Sequence, residues 1–452
     1  MSADDELFPD EGSFHPLGEE WESELEGMLD ETEYDTQLGI DMARDAMRVT
    51  AGELSEAEFH AKYHEDVLDE FGVDDRPTAA ALEELEEDEG GLVDALKNFD
   101  GDGEMDRREV MKKMGVAGAA LGLGGWAATD DSQPDVGAAA ESEEDEGTQW
   151  GMAIDLERCD GCLSCVQGCA EENGLDPGVN WMYVMAWEDE NTETPEDPSV
   201  GEYNLLVRPC QHCTDAPCEK VCPTTARHTR NKDGLVLTDY DVCIGCRYCM
   251  VACPYGVNYF AWDDPDIPEE DIPDDHIYVE ESEESGERRL DSRAPRGVMS
   301  KCTMCPSRQD GQMGDDMVAT TACEEACADM GMNVIHFGDL NDPESKPNRY
   351  LDARREQARE DGNDVDGLDG EDYAESSTAE GNLSTFRLLE HIGTGPNVIY
   401  IGDEPGAEAE QVDGPTAYED LTAEYEGENK TYEWDLVDNR KEVLDEGTVG
   451  GA

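Results

Sequence analysis

Apolar positions follow different rules in different parts of the chain. Phe59, Tyr63, Val67 and Phe71 recur at every fourth residue, the signature of one buried stripe on a helix. Ser55 and Glu58 have the spacing of a capping box that opens that helix. The acidic surroundings predict a small helical domain over residues 1–90. Residues 114–128 form an uncharged run rich in Gly and Ala, too short and too weakly apolar to predict a membrane span. From residue 346 to residue 452 apolar residues retreat into isolated patches such as Val398–Ile401 and residues 432–436. These predict single strands in a largely irregular, acidic arm. Residues 147–345 carry every cysteine of the chain.

Charge adds a second layer. The 452 residues contain 31 Lys and Arg against 114 Asp and Glu, a formal net charge of −83. That excess repels itself at low ionic strength and excludes a general affinity for nucleic acid. It fits either disorder or life in molar salt, where the Debye length falls to roughly 3 Å. The distribution favours salt. Residues 201–260 hold six basic and six acidic residues, whereas residues 261–290 hold thirteen acidic and two basic. A charge-balanced core in an acidic shell is expected of a folded protein from a halophile. Short acidic runs such as 141–146 read as linkers.

The sixteen cysteines divide into four groups of four. The first group is Cys159, Cys162, Cys165 and Cys169. The second is Cys210, Cys213, Cys218 and Cys222, followed by Pro223. The third is Cys243, Cys246, Cys249 and Cys253, followed by Pro254. The fourth is Cys302, Cys305, Cys323 and Cys327. Three closely spaced thiolates can wrap one face of an iron–sulfur cube, and a fourth further along points away to a different cluster. Proline after that cysteine suits the change of direction. The groups must therefore work in pairs, each lending its last cysteine to its partner, and four groups give four [4Fe–4S] clusters. Zinc sites also use Cys-x-x-Cys, but they have no use for a third cysteine three residues on or for the trailing Cys-Pro. A disulfide framework would give an even count too, yet so many two-residue gaps make an awkward scaffold.

Several segments carry a family resemblance: GMAIDL before Cys159, RPCQHCTDAPCEKVCPTTA from Arg208, CIGCRYCMVACPYGV from Cys243 and KCTMC from Lys301. They resemble the iron–sulfur subunits of membrane-bound molybdopterin oxidoreductases of the polysulfide, tetrathionate and dimethyl sulfoxide reductase types, and related hydrogenase and alternative complex III subunits. The likeness runs from about residue 150 to 338. It continues more weakly through GDLNDPESKPNRYL from Gly338 and FRLLEHIGTGPNVIYIG from Phe386. The resemblance implies a nested pairing. Cys159, Cys162, Cys165 and Cys327 would share one cluster, and Cys302, Cys305, Cys323 and Cys169 a second. Cys210, Cys213, Cys218 and Cys253 would share a third, and Cys243, Cys246, Cys249 and Cys222 a fourth. Spacing alone equally permits the first group to pair with the second. In nitrate reductase relatives a tryptophan replaces the second cysteine of the third group and leaves a three-iron cluster. Here that position is Cys246, so four cubanes are expected.

The resemblance implies an α+β fold: two pseudo-symmetric double-cluster ferredoxin-like modules, the small helical N-terminal domain and an extended C-terminal arm that docks partner subunits. No phosphate-cradling glycine loop, Ser/His/Asp pattern or molybdopterin-binding domain is recognisable. The chain is thus expected to be no enzyme by itself and to bind no small-molecule substrate. It would relay electrons between a molybdopterin-containing catalytic subunit and an integral-membrane, quinone-reactive subunit. A free-standing polyferredoxin is the alternative, and a calcium-responsive scaffold ranks behind it. Arg208, Arg227, Arg230 and Arg247 would offset cluster charge or grip a partner, with ordinary ion pairs as the plain alternative.

Residues 91–146 hold two overlapping motifs. Asp106, Arg107, Arg108, Glu109, Val110, Met111 and Lys112 match a twin-arginine export pattern, with alanines at 138–140 as a cleavage site. This predicts a protein held to the membrane by its partners on the extracytoplasmic face, the cytoplasmic face being the alternative. More than a hundred residues precede the motif, so either that region stays attached through an uncleaved segment, which is the favoured expectation, or Met105 is the true beginning. Asn98, Asp100, Asp102, Glu104, Asp106 and Glu109 also fit a calcium-binding EF-hand loop, with residues 92–97 as its entering helix. His60 and His64 stand four apart, but Ala61 follows where a metalloprotease motif needs glutamate, and surface histidines are expected.

Overall fold

A computed structural model of the protein describes residues 27–29, 32, 34–76, 147–175, 179–188, 204–262, 278–282, 286–289, 294–363, 383–406, 409–412, 422–425 and 428–431. The twin-arginine and EF-hand motifs and residues 432–436 lie outside them. Among the described residues no helix is long and apolar enough to cross a membrane.

Strand β1 (Trp150–Asp155) is buried at every residue, as expected of a strand covered on both faces. It pairs antiparallel with β10 (Ile335–Asp339) and parallel with β12 (Val398–Ile401), which pairs in turn with β11 (Thr385–Phe386). One face of β1 packs under helix α8 (Lys346–Asn363): Ala153 and Ile401 meet Leu351. There the Asp155 carboxylate is fully buried, and accepts from Tyr350 Oη and Arg354 Nε, both at 2.7 Å. On the other face Met152 and Ile154 join the main core, which also contains the cysteines.

One local unit recurs four times: a strand, a cysteine loop and a short helix. Strand β1 runs through one 3₁₀ turn into Cys159, and helix α3 (Ser164–Asn173) carries Cys165 and Cys169 one turn apart. Strand β3 (Asn204–Pro209), paired with β2 (Met182–Glu188), runs directly into Cys210, and α4 (Pro217–Lys220) carries Cys218. The hairpin β4 (Arg227–Thr229) and β5 (Val236–Thr238) leads towards Cys243, and α5 (Tyr248–Val251) carries Cys249. Strand β9 (Met299–Ser300), paired with β6 (Tyr259–Phe260), precedes Cys302. After α6 (Pro306–Gln309), helix α7 (Ala322–Asp329) carries Cys323 and Cys327. Strands β7 (Val279–Ser282) and β8 (Gly286–Arg289) form a separate hairpin, as do β14 (Thr422–Tyr425) and β15 (Glu428–Thr431).

Three expectations change. Helices α1 (Thr36–Thr50) and α2 (Glu56–Phe71) do form, and the Ser55–Glu58 capping box closes as read. Yet Ile40, Met47, Phe59 and Val67 belong to the same core as the cysteines, so this region is not a domain apart. Four links fasten it there: Tyr248 Oη to the Asp35 carbonyl, Arg247 Nη1 to the Met28 carbonyl, Thr50 Oγ1 to the Ile392 carbonyl and the Asp75 amide to the Pro223 carbonyl. The second correction concerns the arm. Its described segments, residues 346–363, 383–406 and 409–412, are built into the fold, because α8 covers the first sheet, β12 lies inside it and β13 (Glu410–Val412) pairs with β2. Third, His60 is buried rather than on the surface. Its Nε2 lies 3.5 Å from Glu56, while His64 pairs with Asp74 at 2.8 Å.

Candidate iron–sulfur sites

In each cysteine loop the residue before the second cysteine is left-handed: Gly161, His212, Gly245 and Met304 have φ of 71°, 42°, 69° and 56°. Such a residue curls the backbone into a concavity whose amides face inward, a shape that suits anionic sulfur. Glycine tolerates this conformation. His212 is held in it by both ring nitrogens: Nδ1 accepts from the Val236 amide at 3.0 Å, and Nε2 lies 3.0 Å from the Cys302 carbonyl. Those partners require the neutral ring with its proton on Nε2. Burial, and then Lys301 nearby, hold its pKa well below the ordinary value.

The loops gather the cysteines crosswise into four sets. Cys159, Cys162, Cys165 and Cys327 line one cavity, here set one. Cys169 stands among Cys302, Cys305 and Cys323 in set two. Cys210, Cys213, Cys218 and Cys253 line a second cavity, set three, together with Lys301 and Asn258. Cys246 stands among Cys243, Cys249 and Cys222 in set four. Neighbour relations join the sets in a row. Cys165 of set one lies within electrostatic reach of Cys323 in set two, Cys302 of Cys210 in set three, and Cys218 of Cys249 in set four. Cys159 and Cys162 at one end, and Cys222 and Cys243 at the other, are half-buried; the other twelve are buried. Beside the set-four end, Val242 and Ile244 are exposed by 44% and 36%.

Comparison with known proteins places this arrangement. Residues 15–79 match the family described as the N-terminal region of 4Fe-4S ferredoxin iron-sulfur binding, and residues 202–267 and 235–328 each match a 4Fe-4S dicluster domain. A Halobacterium salinarum protein, provisionally named as the iron-sulfur subunit of a dimethyl sulfoxide reductase, is 35% identical over 265 residues, 57% of this chain and 80% of the relative. The arsenate respiratory reductase iron-sulfur subunit of Shewanella sp. is 35% identical over 268 residues, 56% of this chain and 95% of the relative. The chain belongs to this family of reductase iron–sulfur subunits. Another relative, the iron-sulfur cluster-binding subunit of menaquinone reductase from Nitratidesulfovibrio vulgaris, is 33% identical over 277 residues, 56% of this chain and 88% of the relative. The dicluster matches and the sixteen cysteines in clustered motifs fit four [4Fe–4S] clusters in this iron–sulfur subunit.

The donor set is that of a cluster. Burial pushes the Cys159 and Cys323 thiols up to about 12, and Cys243 and Cys302 to about 11, so the cluster-free subunit holds them protonated at neutral pH. As ligands of a cluster they would be thiolates, and loading would release those protons. Donors are already arranged around the sulfurs. The Val334 amide donates to Cys327 Sγ at 3.4 Å, the Arg227 amide to Cys222 Sγ at 3.4 Å, and Asn173 Nδ2 to Cys169 Sγ at 3.6 Å. Thr321 Oγ1 lies 3.3 Å from Cys323 Sγ.

The four arginines singled out from the sequence are all buried. Arg208 lies over the Tyr183 ring, and Arg247 lies over both Phe260 and Trp262 at about 4 Å. Arg230 pairs with Asp233 and Asp310, so the plain ion-pair alternative holds there. Arg227 donates to Cys249 Sγ at 3.6 Å. Sequence reasoning missed His212 and Lys301, whose Nζ donates to the Val236 and Cys302 carbonyls at 2.5 and 3.0 Å. The Gly161 and Gly245 pair, each directly before a second cysteine, was the visible sign of the left-handed position; no pattern marked His212 or Met304.

Proposed function

We propose that the chain is the electron-relay subunit of an oxidoreductase complex, with the four cysteine sets as the ligands of four [4Fe–4S] clusters arranged as two double-cluster modules. Bound clusters supply one-electron acceptance and donation along the row. The protein's own part is to fix their order, exclude water from the middle and leave the ends accessible. The observation that carries this reading is the linear series of sets in which only terminal cysteines are half-exposed. A substrate enzyme needs a cleft beside its chemistry, whereas a relay needs an insulated path with two contact points. The two half-exposed ends suit two partners: a molybdopterin-containing catalytic subunit, in keeping with relatives named as reductase subunits, and a quinone-reactive membrane subunit, in keeping with the menaquinone reductase relative. The twin-arginine motif at residues 106–112 supports a position on the extracytoplasmic face.

The test is isolation of the native protein from membranes, with identification of its companions, iron analysis and low-temperature magnetic resonance. The reading expects four clusters' worth of iron, reducible centres and a large molybdenum-containing companion. Stoichiometric zinc, or a lone soluble carrier without companions, would refute it.

A further inference from the structure

Arg227, the first residue of β4, is 1% exposed and stands within reach of cysteines of both set three and set four. Its Nη2 donates to Cys249 Sγ at 3.6 Å and to Asn258 Oδ1 at 2.7 Å. Asn258 is itself anchored, donating from Nδ2 to the Cys249 carbonyl at 3.0 Å. The cysteines within electrostatic reach of the guanidinium come from both sets: Cys249 from set four, Cys218 and Cys210 from set three. Its Nε and Nη1 are buried with no hydrogen-bond partner among the described residues.

Buried guanidinium N–H groups without acceptors are costly, so an arrangement that keeps them needs acceptors from elsewhere. Between two cysteine sets the acceptors of the right chemistry are cluster sulfides and their thiolates. Two other buried arginines, by contrast, are neutralised locally. Arg308, which lies near Cys305 of set two, is paired with Glu172 and Glu325, and Arg230 with Asp233 and Asp310.

We propose that Arg227 is a buried cation shared by sets three and four, which bonds the cluster sulfur of both and raises the reduction potential of both clusters. The inference rests on the reading that these sets hold iron–sulfur clusters. Reduction adds one negative charge to a cluster. A fixed positive charge in a low-dielectric interior stabilises that form more than the oxidised one, and hydrogen bonds to sulfur act in the same direction. Asn258 sets where the guanidinium points, so it is a positioning residue for the same effect.

The test is a redox titration of the iron-loaded native complex, followed by low-temperature magnetic resonance, for the wild type, Arg227→Met, Arg227→Lys and Asn258→Asp. In Arg227→Met two centres should move to more negative potential by a tenfold or greater fall in their reduced-to-oxidised ratio, about 59 mV for a one-electron couple. The other two should stay in place. Arg227→Lys should keep at least half of the effect, which a purely packing role would not predict. Iron-replete Arg227→Met with all four potentials unchanged, or an equal shift in the Met and Lys variants, overturns the proposal. If Arg227→Met fails to load iron, Asn258→Asp carries the test: a carboxylate against the retained guanidinium should move the same two centres negative, and unchanged potentials overturn the proposal. A wild type without any iron–sulfur signal refutes the cluster reading instead, so the two failures are distinct.

Discussion

At Gly245 the backbone has φ of +69°, and a Cβ there would press on the Gly297 carbonyl oxygen, a backbone atom that cannot swing aside. Gly245→Ala therefore combines a left-handed penalty of about 1–2 kcal/mol with a clash inside the loop that presents Cys246. The expected outcome is loss of one cluster's worth of iron and a lower unfolding midpoint, with the other centres retained. Full iron and an unchanged midpoint would refute that account of the loop. His336 offers a second test away from the cysteines. Its ring stacks on Tyr350 at 3.8 Å, and burial, with Lys346 adding to it against Asp155, lowers its pKa to about 4. The unfolded chain, with an ordinary value near 6.5, then takes up the proton first. Stability from this residue is complete above that value, is lost as pH falls from about 6.5 to about 4, and is level below. In His336→Phe, which keeps a ring for stacking, the urea midpoint should fall less between pH 7 and pH 5 than in the wild type; equal falls would sink the assignment. The cysteines were legible at this scale because cluster chemistry dictates spacing. Arg227 was legible only as one of four arginines that could offset cluster charge, and His212 and Lys301 not at all, since their positions come from backbone curvature and long-range packing that no local pattern encodes.

At the scale of elements, the N-terminal helices illustrate how far periodicity reaches. The four-residue stripe and the capping box identified α2, because both depend on neighbours within one or two turns. What α1 and α2 pack against was invisible, since it is set by contacts across some two hundred residues, such as Tyr248 to Asp35. Strand β12 shows the same limit. Val398–Ile401 reads as a strand from its apolar run, but its parallel pairing with β1 gives no local sign. The crosswise grouping of cysteines likewise came from a resemblance, because spacing left the partner of each group open. A test of the helical cover lies at Gly39 of α1, where a Cβ would stand 2.7 Å from the Tyr248 ring and 2.8 Å from Leu29 Cδ1. Tyr248 begins α5, between Cys246 and Cys249. Gly39→Leu should lift α1 from α5, speed proteolytic cleavage within residues 34–76 and weaken the signal of the centre in set four. Unchanged proteolysis and an unchanged signal would show that the cover does not support the site.

For the whole molecule, charge and burial pull apart. The cysteine sets occupy a shared apolar core, while the chain carries a net charge of −83. Residues 201–260 are balanced in charge, so most of the excess must lie outside the region that holds sets three and four. Folding gathers those like charges into a smaller volume, which costs free energy at low ionic strength. The Debye length is about 10 Å at 0.1 M salt and about 3 Å at 1 M, so molar salt removes most repulsion between separated surface carboxylates. Short-range pairs inside the core, such as Arg230 with Asp233 or Arg354 with Asp155, are screened far less and should persist. The unfolding midpoint of the iron-loaded protein should therefore climb as KCl is raised from 0.1 M to 2 M, and the steepest gain should come at the low end, where the screening length changes most. Sucrose at equal osmolality leaves charge unscreened and should not reproduce that steep initial rise. A midpoint that stays level or falls with KCl would mean that the acidic surface imposes no electrostatic cost on this fold, and its excess of carboxylates would need a different explanation.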